Sequence, residues 1–318
     1  MIAITDLVKA YGAAPVLDIP VFTFEAGQVH AVNGANGAGK TTLLRLIAGL
    51  EPPSAGTIIT EASPEETVLC FQNPYLFRDT VLGNITYGLR VRRIDNGAGL
   101  ARAAARALGL EHLLGRRART LSAGERQKTA LARAFVLKPR LLLLDEPLAN
   151  LDPVSTAQVL EALAGLRADG TTMLVVTHSL AALMPITDRV VKLDRGRLAP
   201  DTARTIIAGT VTITDGHTML QTGGGVALRV VTDKRGPARG ILSPTDVILS
   251  AETFPSSMQN AFRGIVTGMA EAGGVVSVTV DIGLPVTAHI TPEAGQSLGL
   301  AAGRPVWVMF KATAVEVY

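Results

Sequence analysis

The sequence is poor in cysteine, in aromatic side chains and in charge. Cys70 is the single cysteine among 318 residues, which excludes an internal disulfide framework and any site with several cysteine ligands. Charged residues make up 18% of the chain, against about 25% in an average soluble protein. The 30 basic residues exceed the 27 acidic ones only slightly. Because no Lys/Arg tract concentrates this surplus, the composition predicts no nucleic-acid partner.

Long apolar runs are missing as well. The most apolar stretch, 173–186, is short and contains His178, so the chain is not expected to cross a membrane by itself. The first residues lack the charged start and the long apolar run of a signal peptide. Without a disulfide framework, the reducing cytosol is the expected compartment. Apolar residues still make up 47%, which suffices for the cores of roughly two domains.

Up to about residue 200, short apolar runs alternate with helical patterns. The predicted strands lie at 28–33, 68–71, 141–144, 171–177 and 190–193. The predicted helices lie at 41–50, 100–108, 125–137 and 154–167. Continuous apolar strands with helices between them indicate a parallel sheet covered on both faces. The segments 2–8 and 16–24 are instead typical of an antiparallel pair.

The composition changes after about residue 201 to Val, Thr and Gly. Short, partly alternating segments at 211–214, 227–231, 275–281 and 286–290 predict strands separated by glycine and proline turns. We expect a β connecting region over 201–252 and a small all-β, barrel-like domain over 253–318. The predicted fold class is therefore an α/β domain over 1–200 followed by an all-β part.

A phosphate-binding loop is the most specific motif. Residues 34–41 read Gly-Ala-Asn-Gly-Ala-Gly-Lys-Thr, which matches the P-loop pattern without a mismatch. The loop lies between a predicted strand and a predicted helix, as the pattern requires. Its glycines allow backbone N–H groups to surround phosphates, and the helix N-terminus adds a positive dipole end. Lys40 is expected to contact the β and γ phosphates, and the Thr41 hydroxyl to bind Mg²⁺.

Two carboxylates follow the apolar strand 141–144. Asp145 is suited to hold Mg²⁺, directly or through water, and Glu146 to polarise the attacking water as general base. Solvated acids at a strand end are common, so this pair is informative mainly together with the phosphate loop. The two motifs predict nucleotide hydrolysis.

Ser122 and Glu125 form a Ser-x-x-Glu pattern ahead of the helix predicted at 125–137. This pattern is typical of a capping box, which is a structural role. A capped helix N-terminus with a serine and a glycine, here Gly124, is also an anion site. Since the chain already contains a complete phosphate loop, a second phosphate site suggests that another subunit completes it.

Gln72 and His178 follow predicted strands, Asp152 follows the carboxylate pair, and Tyr11 precedes the phosphate loop. With these residues in this order, residues 1–200 resemble the ATP-binding subunit of an ABC transporter, with an antiparallel β subdomain and a helical subdomain. The resemblance implies ATP and Mg²⁺ as cofactors. The implied nucleotide contacts are Tyr11, Asn33, Gly34, Ala35, Asn36, Gly37, Ala38, Gly39, Lys40, Thr41, Thr42, Ser122 and Gly124. The implied metal contacts are Thr41, Gln72 and Asp145, and the implied catalytic residues are Glu146, His178 and Gln72.

The resemblance also implies how the subunit is assembled. Ser122 and Gly124 would contact the γ-phosphate held by the opposite protomer of a homodimer, and Asp152 would lie in the loop that couples the two sites. The family often has glycine at Ala123 and glutamine at Glu125. The segment 73–93 would dock a transmembrane permease subunit. Through that complex the chain would be linked to an extracytoplasmic solute-binding protein. The chain itself would lie on the cytoplasmic side of the membrane.

The tail, over 253–318, resembles the oxyanion-binding module of small molybdate-binding proteins and of molybdate and tungstate importer ATPases. Gln259 stands where that family usually has an arginine. The resemblance implies an oxyanion site with hydroxyls from Ser257 and Thr313, an amide from Asn260 and the charge of Lys311. A barrel that only dimerises or stiffens the subunit is the alternative.

The sequence therefore predicts the ATPase subunit of an oxyanion importer, for tungstate or molybdate, with such an oxyanion as a regulatory ligand of the tail. Two alternatives stay open. The importer could carry another solute, such as sulfate, iron or a sugar. The chain could also be a soluble oxyanion-binding or storage protein whose ATPase domain regulates it.

Overall fold

In the computed structural model, which describes residues 1–12, 14–178, 180–199, 205–272 and 274–318, the chain divides into two units. The first is Met1–Ala199 and the second Pro200–Tyr318. No helix in these described ranges is long and apolar enough to cross a membrane.

A six-stranded sheet forms the centre of the first unit, in the order β5-β6-β7-β3-β8-β9. Its strands are β3 (Val29–Asn33), β5 (Thr67–Cys70), β6 (Leu141–Asp145), β7 (Thr172–Val176), β8 (Arg189–Asp194) and β9 (Arg197–Ala199). All neighbours are parallel except β8 and β9. The carboxyl ends of β3, β5, β6 and β7 therefore meet at one edge of the sheet.

A three-stranded antiparallel sheet accompanies it, in the order β2-β1-β4. Its strands are β1 (Ile2–Ala10), β2 (Pro15–Phe24) and β4 (Ala55–Thr60). The β1–β2 pair was predicted from the sequence and is confirmed. Strand β4 was not predicted, because its residues are mostly exposed and give no apolar run.

In the described part of the first unit there are six helices. They are α1 (Lys40–Ile47), α2 (Val81–Val91), α3 (Gly97–Ala107), α4 (Ala123–Phe135), α5 (Pro153–Ala168) and α6 (Leu180–Leu183). Short 3₁₀ turns occur at Pro64–Glu66, Glu111–Leu113 and Ala118–Thr120. Thr80, Ser122 and Asp152 cap α2, α4 and α5, because each side chain accepts a hydrogen bond from a backbone N–H two or three residues into the helix.

Strand β6 shows why the parallel sheet is buried on both faces. All five of its residues are buried. Leu142 and Leu144 pack into a core with α2, α3, α4 and α5, whereas Leu141 and Leu143 pack into a second core with α1 and the antiparallel sheet. Successive side chains of a strand point to opposite faces, so a continuous leucine run serves both cores.

The second unit contains two five-stranded antiparallel sheets. The first, in the order β12-β11-β10-β13-β19, contains β10 (Thr205–Thr214), β11 (His217–Thr222), β12 (Ala227–Arg229), β13 (Gly236–Leu242) and β19 (Val315–Val317). The second, in the order β14-β18-β15-β16-β17, contains β14 (Ile248–Ser250), β15 (Asn260–Ala272), β16 (Val275–Asp281), β17 (Pro285–Ile290) and β18 (Pro305–Phe310). Helix α7 (Pro292–Ser297) and 3₁₀ turns at Pro244–Asp246 and Ala312–Ala314 complete it.

The pairing of these strands crosses the division that the sequence suggested at 252/253. β19, at the carboxyl end, pairs with β13, and β14 pairs with β18. Side chains from both sides of residue 252 share one core, for example Ile207, Leu228, Val278 and Phe310. The connecting region and the barrel-like domain thus form one unit. The predicted fold class itself, a P-loop α/β domain followed by a small all-β domain, is confirmed.

Candidate functional site

The loop between β3 and α1 needs glycine at two positions. A Cβ on Gly34 would lie 2.1 Å from the backbone oxygen of Leu193, so no larger residue fits beside β8. Gly39 has a φ of +100°, and a Cβ there would lie 2.7 Å from the Leu17 side chain. The backbone can therefore wind tightly against β8 and β2. Asn33 stabilises the start of the loop, since its Oδ1 accepts a hydrogen bond from Gly34 N at 2.7 Å.

Lys40 lies at the start of α1 with 7% of its surface exposed. Its ammonium donates hydrogen bonds to the backbone oxygens of Gly34 at 2.7 Å and Ala35 at 2.9 Å. Burial lowers the pKa of Lys40, and the nearby carboxylates of Glu146 and Asp145 oppose that shift. The loop thus curls around a fixed positive charge, which is the arrangement that a phosphate group requires.

Thr41 and Asp145 come together although they are far apart in the chain. The Thr41 hydroxyl donates a hydrogen bond of 2.8 Å to Asp145 Oδ2, and Asp145 is 5% exposed at the end of β6. A hydroxyl beside a carboxylate is an all-oxygen donor pair of the kind that Mg²⁺ prefers. The residues present therefore fit a magnesium ion next to the phosphate loop.

Glu146 directly follows β6 in a left-handed conformation, with φ of +48°. Its backbone N–H donates to Val176 O at 2.9 Å, which attaches the turn to the end of β7. The residue is 9% exposed, and its buried Oε1 has no hydrogen-bond partner in the part of the chain that the structure describes. Nε2 of His178 lies 3.4 Å from this oxygen, and the His178 side chain is half exposed. A buried carboxylate oxygen with free accepting capacity is suited to receive a hydrogen bond from water.

These residues line one cavity of about 360 Å³. Its walls contain Tyr11, Val16, Asn36, Gly37, Gly39, Lys40, Thr41, Thr42, Gln72, Asp145, Glu146 and His178. All of these residues were predicted from the sequence except Val16, which belongs to no motif. Val16 reaches the cavity only through the tertiary structure, which packs β2 closely against the phosphate loop. A Cβ on Gly39 would lie only 3.0 Å from the Val16 backbone oxygen.

Tyr11 lies at the open side of this cavity, with 59% of its surface exposed. Its hydroxyl donates a hydrogen bond to Glu51, and that bond is the main reason why the pKa of Glu51 is lowered. The Lys9 ammonium lies 4.9 Å from the centre of the Tyr11 ring. The ring is therefore held in place while part of its surface stays accessible for stacking.

Ser122 and Gly124 are not among the described residues that line this cavity. Ser122 is exposed and forms a complete capping box with Glu125, whose pKa is lowered mainly by the Ser122 backbone N–H. A Cβ on Gly124 would lie 3.0 Å from Asn150 O, so the start of α4 packs closely against the loop after β6. Gln127, which the sequence analysis did not select, strengthens this contact by donating to Pro147 O at 3.3 Å.

Asp152 has a defined local role. Its carboxylate accepts hydrogen bonds from the Ser155 backbone N–H at 2.9 Å and from the Ser155 hydroxyl at 2.8 Å. These bonds lower its pKa, the backbone N–H first. Asp152 therefore fixes the start of α5 directly after the loop that contacts Gly124. The coupling role expected for it stays a prediction.

In the second unit, Ser257, Lys311 and Thr313 are exposed, but Asn260 is not. Asn260 is 2% exposed, and its amide accepts from Arg229 N at 2.8 Å and donates to Arg229 O at 2.9 Å. The amide group is thus occupied in joining β15 to β12. These bonds make Asn260 a structural link between the two sheets, and the oxyanion contact expected for it stays a prediction.

Two family models match the chain. The ABC transporter family matches residues 17–149, and the TOBE domain matches residues 256–317. The first match covers the phosphate loop, Gln72, the capped start of α4 and the carboxylate pair.

Several characterised proteins are similar to the chain. A molybdate/tungstate import ATP-binding protein of Pyrococcus abyssi is 35% identical over the full length of both chains. A tungstate uptake system ATP-binding protein of Peptoclostridium acidaminophilum is 37% identical over 62% of this chain and 96% of its own. An aliphatic sulfonates import ATP-binding protein of Escherichia coli is 38% identical over 61% of this chain and 77% of its own.

Solved structures show the same fold in the first unit. A dimeric bacterial ABC transporter cassette has a TM-score of 0.58 and 23% identity, over 62% of this chain and 96% of its own. An ATP-binding subunit of an ABC transporter has a TM-score of 0.57 and 29% identity, over 62% of this chain and 88% of its own. With the motif geometry and the full-length relatives, these findings show that the chain belongs to the ABC transporter family, as an ATP-binding ATPase subunit with a carboxy-terminal TOBE domain.

Proposed function

We propose that the chain drives the import of an oxyanion, molybdate or tungstate, through a membrane transporter. The observation that carries this proposal is the 35% identity over the full length of both chains to a protein named for molybdate/tungstate import. Because this match covers the whole chain, it includes the tail. The match to the tungstate uptake relative covers only 62% of this chain. The aliphatic sulfonate relatives also match only about this share.

In the proposed site, Lys40 neutralises the β and γ phosphates of ATP, and backbone N–H groups of the loop 34–41 surround them. The ammonium already points into the loop, where it bonds to two backbone oxygens that phosphate oxygens can replace as acceptors. Tyr11 stacks on the adenine with its exposed face. The cavity of about 360 Å³ is of the size expected for a small-molecule site.

Thr41 and Asp145 would hold Mg²⁺, with Gln72 as a further contact on the cavity wall. The bound ion would supply positive charge that offsets the negative charge of the phosphates. Gln72 follows β5, which also borders the segment proposed to contact the permease. We therefore assign Gln72 to sensing both the ion and the membrane partner.

Glu146 is the proposed general base. Glu146 lines the cavity, and its buried Oε1 has no hydrogen-bond partner among the described residues, so this carboxylate is suited to orient a water molecule and take its proton. His178 lies 3.4 Å from that oxygen and would keep water and γ-phosphate aligned. The reaction is the transfer of the γ-phosphoryl group of ATP to this water, with ADP as leaving group.

Ser122 and Gly124 would complete the ATP site of a second copy in a homodimer. Both lie outside the cavity of their own chain, and Ser122 caps a helix whose N-terminus is exposed. Exposed N–H groups at a helix start favour an anion. The contact of Gly124 with the loop before Asp152 offers a route by which one site can influence the other.

The dimer is proposed to bind two permease subunits on the cytoplasmic side of the membrane, and through them an extracytoplasmic solute-binding protein. The segment 73–93 contributes exposed apolar side chains to this contact, among them Tyr75, Tyr87 and Val91. The tail is proposed to bind molybdate or tungstate through Ser257, Lys311 and Thr313, and so to regulate transport.

Reconstitution tests the proposal. The chain and the permease subunits encoded beside it would be placed in lipid vesicles that contain the solute-binding protein. We expect ATP-dependent movement of radiolabelled molybdate or tungstate, with little competition from a sugar. Uptake of another solute at a higher rate, or a chain that associates with no membrane subunit, would contradict the proposed function.

A further inference from the structure

Tyr11 combines high exposure with a position in the wall of the nucleotide cavity. It follows β1, and 59% of its surface is exposed. An exposed side chain that changes its rotamer freely loses conformational entropy when a ligand fixes it, and this loss weakens binding. A ring that is already fixed binds a planar partner more tightly. The contacts that fix Tyr11 therefore influence nucleotide affinity.

Glu51 provides such a contact, because its carboxylate accepts a hydrogen bond from the Tyr11 hydroxyl. Two cations hold the same carboxylate in place. The Lys9 ammonium lies 3.3 Å from Oε2, and Nη1 of Arg45 lies 3.4 Å from Oε1. The bond from Tyr11 is the main cause that lowers the pKa of Glu51, so the carboxylate is ionised at neutral pH and the bond is charge-assisted.

Lys9 also determines which face of the Tyr11 ring is available. Its ammonium is buried, donates a hydrogen bond to the backbone oxygen of Pro52 at 2.9 Å and lies over the ring, 4.9 Å from its centre. A cation over one face of an aromatic ring is attracted to it. The opposite face is then the one on which a base can stack.

The backbone around Glu51 is tied to the end of β1. Ala10 N donates to Ser54 Oγ at 3.1 Å, and Ser54 N donates to Val8 O at 2.8 Å. Helix α1 begins at the phosphate loop and leads to the turn that contains Glu51. The phosphate loop and the partner of the Tyr11 hydroxyl therefore lie at the two ends of one short segment, which fixes the distance between them.

We infer that Glu51 is a positioning residue of the nucleotide site, which holds the Tyr11 ring in the cavity wall and so raises the affinity for the adenine part of ATP. Glu51 is not among the described residues that line the cavity, so it acts through Tyr11 and not by contact with the nucleotide. The inference rests on the proposed function, in which Tyr11 stacks on the adenine.

Steady-state ATP hydrolysis by the full chain separates binding from chemistry. Glu51→Ala should raise KM for ATP roughly three- to tenfold and leave kcat within about twofold of the wild type, because it removes a contact that is equally strong in the ground state and the transition state. Glu51→Gln keeps an acceptor oxygen, so it should restore most of the affinity. Glu65→Ala removes an exposed carboxylate outside the cavity lining, and this control should behave like the wild type.

Inorganic tripolyphosphate with Mg²⁺ is a probe that carries the phosphates but no base. Its inhibition constant against ATP hydrolysis should be the same for the wild type and Glu51→Ala, because the phosphate loop is unchanged. A variant that only loosens the fold would bind ATP and tripolyphosphate less tightly to the same extent. That result, or a wild-type KM for Glu51→Ala, would overturn the inference.

Tyr11→Phe removes the hydroxyl and keeps the ring. It should raise KM as much as Glu51→Ala does, and the double variant should be no weaker than either single variant, because all three lack the same bond. Additive effects would show that Glu51 does not act through Tyr11. Tyr11→Ala tests the underlying proposal. If it binds ATP as tightly as the wild type, the adenine contact of the proposed function is wrong, and the role of Glu51 with it. If Tyr11→Ala weakens ATP binding but Glu51→Ala does not, only the inference fails.

Discussion

At the residue scale, burial decides which of the polar side chains selected from the sequence are available for chemistry. Glu146 Oε1 is buried and has no hydrogen-bond partner among the described residues, so it can still accept one. Asn260 is equally polar, but its amide Oδ1 and Nδ2 both bond to the Arg229 backbone. Similar motif evidence thus points to an available acceptor in one case and to a structural link in the other.

Glu146→Gln should bind ATP but hydrolyse it about 10²–10⁴-fold more slowly, because the amide cannot accept the proton of water. Phosphate release under saturating ATP measures the rate, and gel filtration with ATP measures accumulation of an ATP-bound dimer. Turnover near that of the wild type would remove Glu146 from the role of base. Glu161→Gln, on α5 and outside the cavity lining, is the control and should not slow hydrolysis.

Asn260→Ala should lower the free energy of unfolding, because two backbone groups of Arg229 lose their partners. Each unsatisfied buried polar group costs about 1–3 kcal/mol. Denaturant titration without oxyanion measures the loss, with Ser257→Ala as an exposed neighbouring control. If Asn260 is instead a ligand, Asn260→Ala would weaken oxyanion binding without a loss of stability.

His30 predicts a pH dependence of stability. The residue is 0% exposed on β3, its Nδ1 has no hydrogen-bond partner among the residues described, and its Nε2 lies 2.9 Å from Glu25 O. Burial lowers the pKa of His30 from 6.5, and the positive charge of Arg189 lowers it further. The hydrogen bond to the Glu25 backbone oxygen and the negative charges of Asp188 and Glu25 act in the opposite direction. The unfolded chain therefore binds a proton more readily, so His30 contributes stability above pH 6.5 that is lost as the pH falls through the lowered pKa.

Unfolding free energies at about pH 7.5 and about pH 5.5 test this effect. We expect a smaller difference between the two values for His30→Gln than for the wild type. Burial also lowers the pKa of His289, which leaves part of the pH dependence in that variant. An unchanged difference would exclude His30 as a source of the pH dependence.

At the element scale, helix starts and strand ends position the site. The carboxyl ends of β3, β5, β6 and β7 lead to the phosphate loop, Gln72, the carboxylate pair and His178, so a parallel sheet assembles residues that are far apart in sequence. Helix α4 differs, since its capped start lies away from this cavity. This position is the one that the proposed role of α4 in the ATP site of a second copy requires.

A mixed dimer tests this role of α4. One subunit carries Lys40→Ala and the other Ser122→Arg, so that both changes fall in one composite site and the other site stays intact. We expect about one ATP bound per dimer, because each phosphate loop needs the start of α4 from the partner subunit. Two homodimers, each with one of the changes, are the controls, and each should have two damaged sites. Normal ATP binding by the Ser122→Arg homodimer would show that each phosphate loop works without α4 of its partner.

At the scale of the whole molecule, the chain combines an ATPase unit with an all-β unit whose strands cross the division at 252/253. Because β13 pairs with β19 and β14 with β18, a fragment that starts at residue 253 would lack two pairing partners. Binding experiments on the tail therefore belong to the full chain, or to a fragment that begins near residue 200.

Calorimetry on the full chain should detect molybdate or tungstate binding that Lys311→Met weakens roughly tenfold or more, since a hydrogen bond to a charged group contributes about 1.5–3 kcal/mol. Lys138→Met, in the ATPase unit, is the charge-matched control and should bind normally. If binding regulates transport, the coupling should be about 1–3 kcal/mol and reciprocal. The absence of heat with either oxyanion at millimolar concentration would leave the tail as a scaffold.

The fold class, the phosphate loop and most of the cavity lining could be predicted from the sequence, because they depend on local patterns. Three of these patterns have a physical cause within a few residues: the glycine-rich loop between strand and helix, the leucine run that ends in two acids, and the Ser-x-x-Glu cap.

Other features depend on contacts between distant segments, and only the folded structure reveals them. It placed Val16 in the cavity, joined Asn260 to Arg229, attached Gln127 to Pro147 and paired β13 with β19. It also brought the carboxylate of Glu51, which belongs to no motif, to the hydroxyl of Tyr11. Burial and long-range pairing depend on the packing of the whole chain, and local spacing does not encode them.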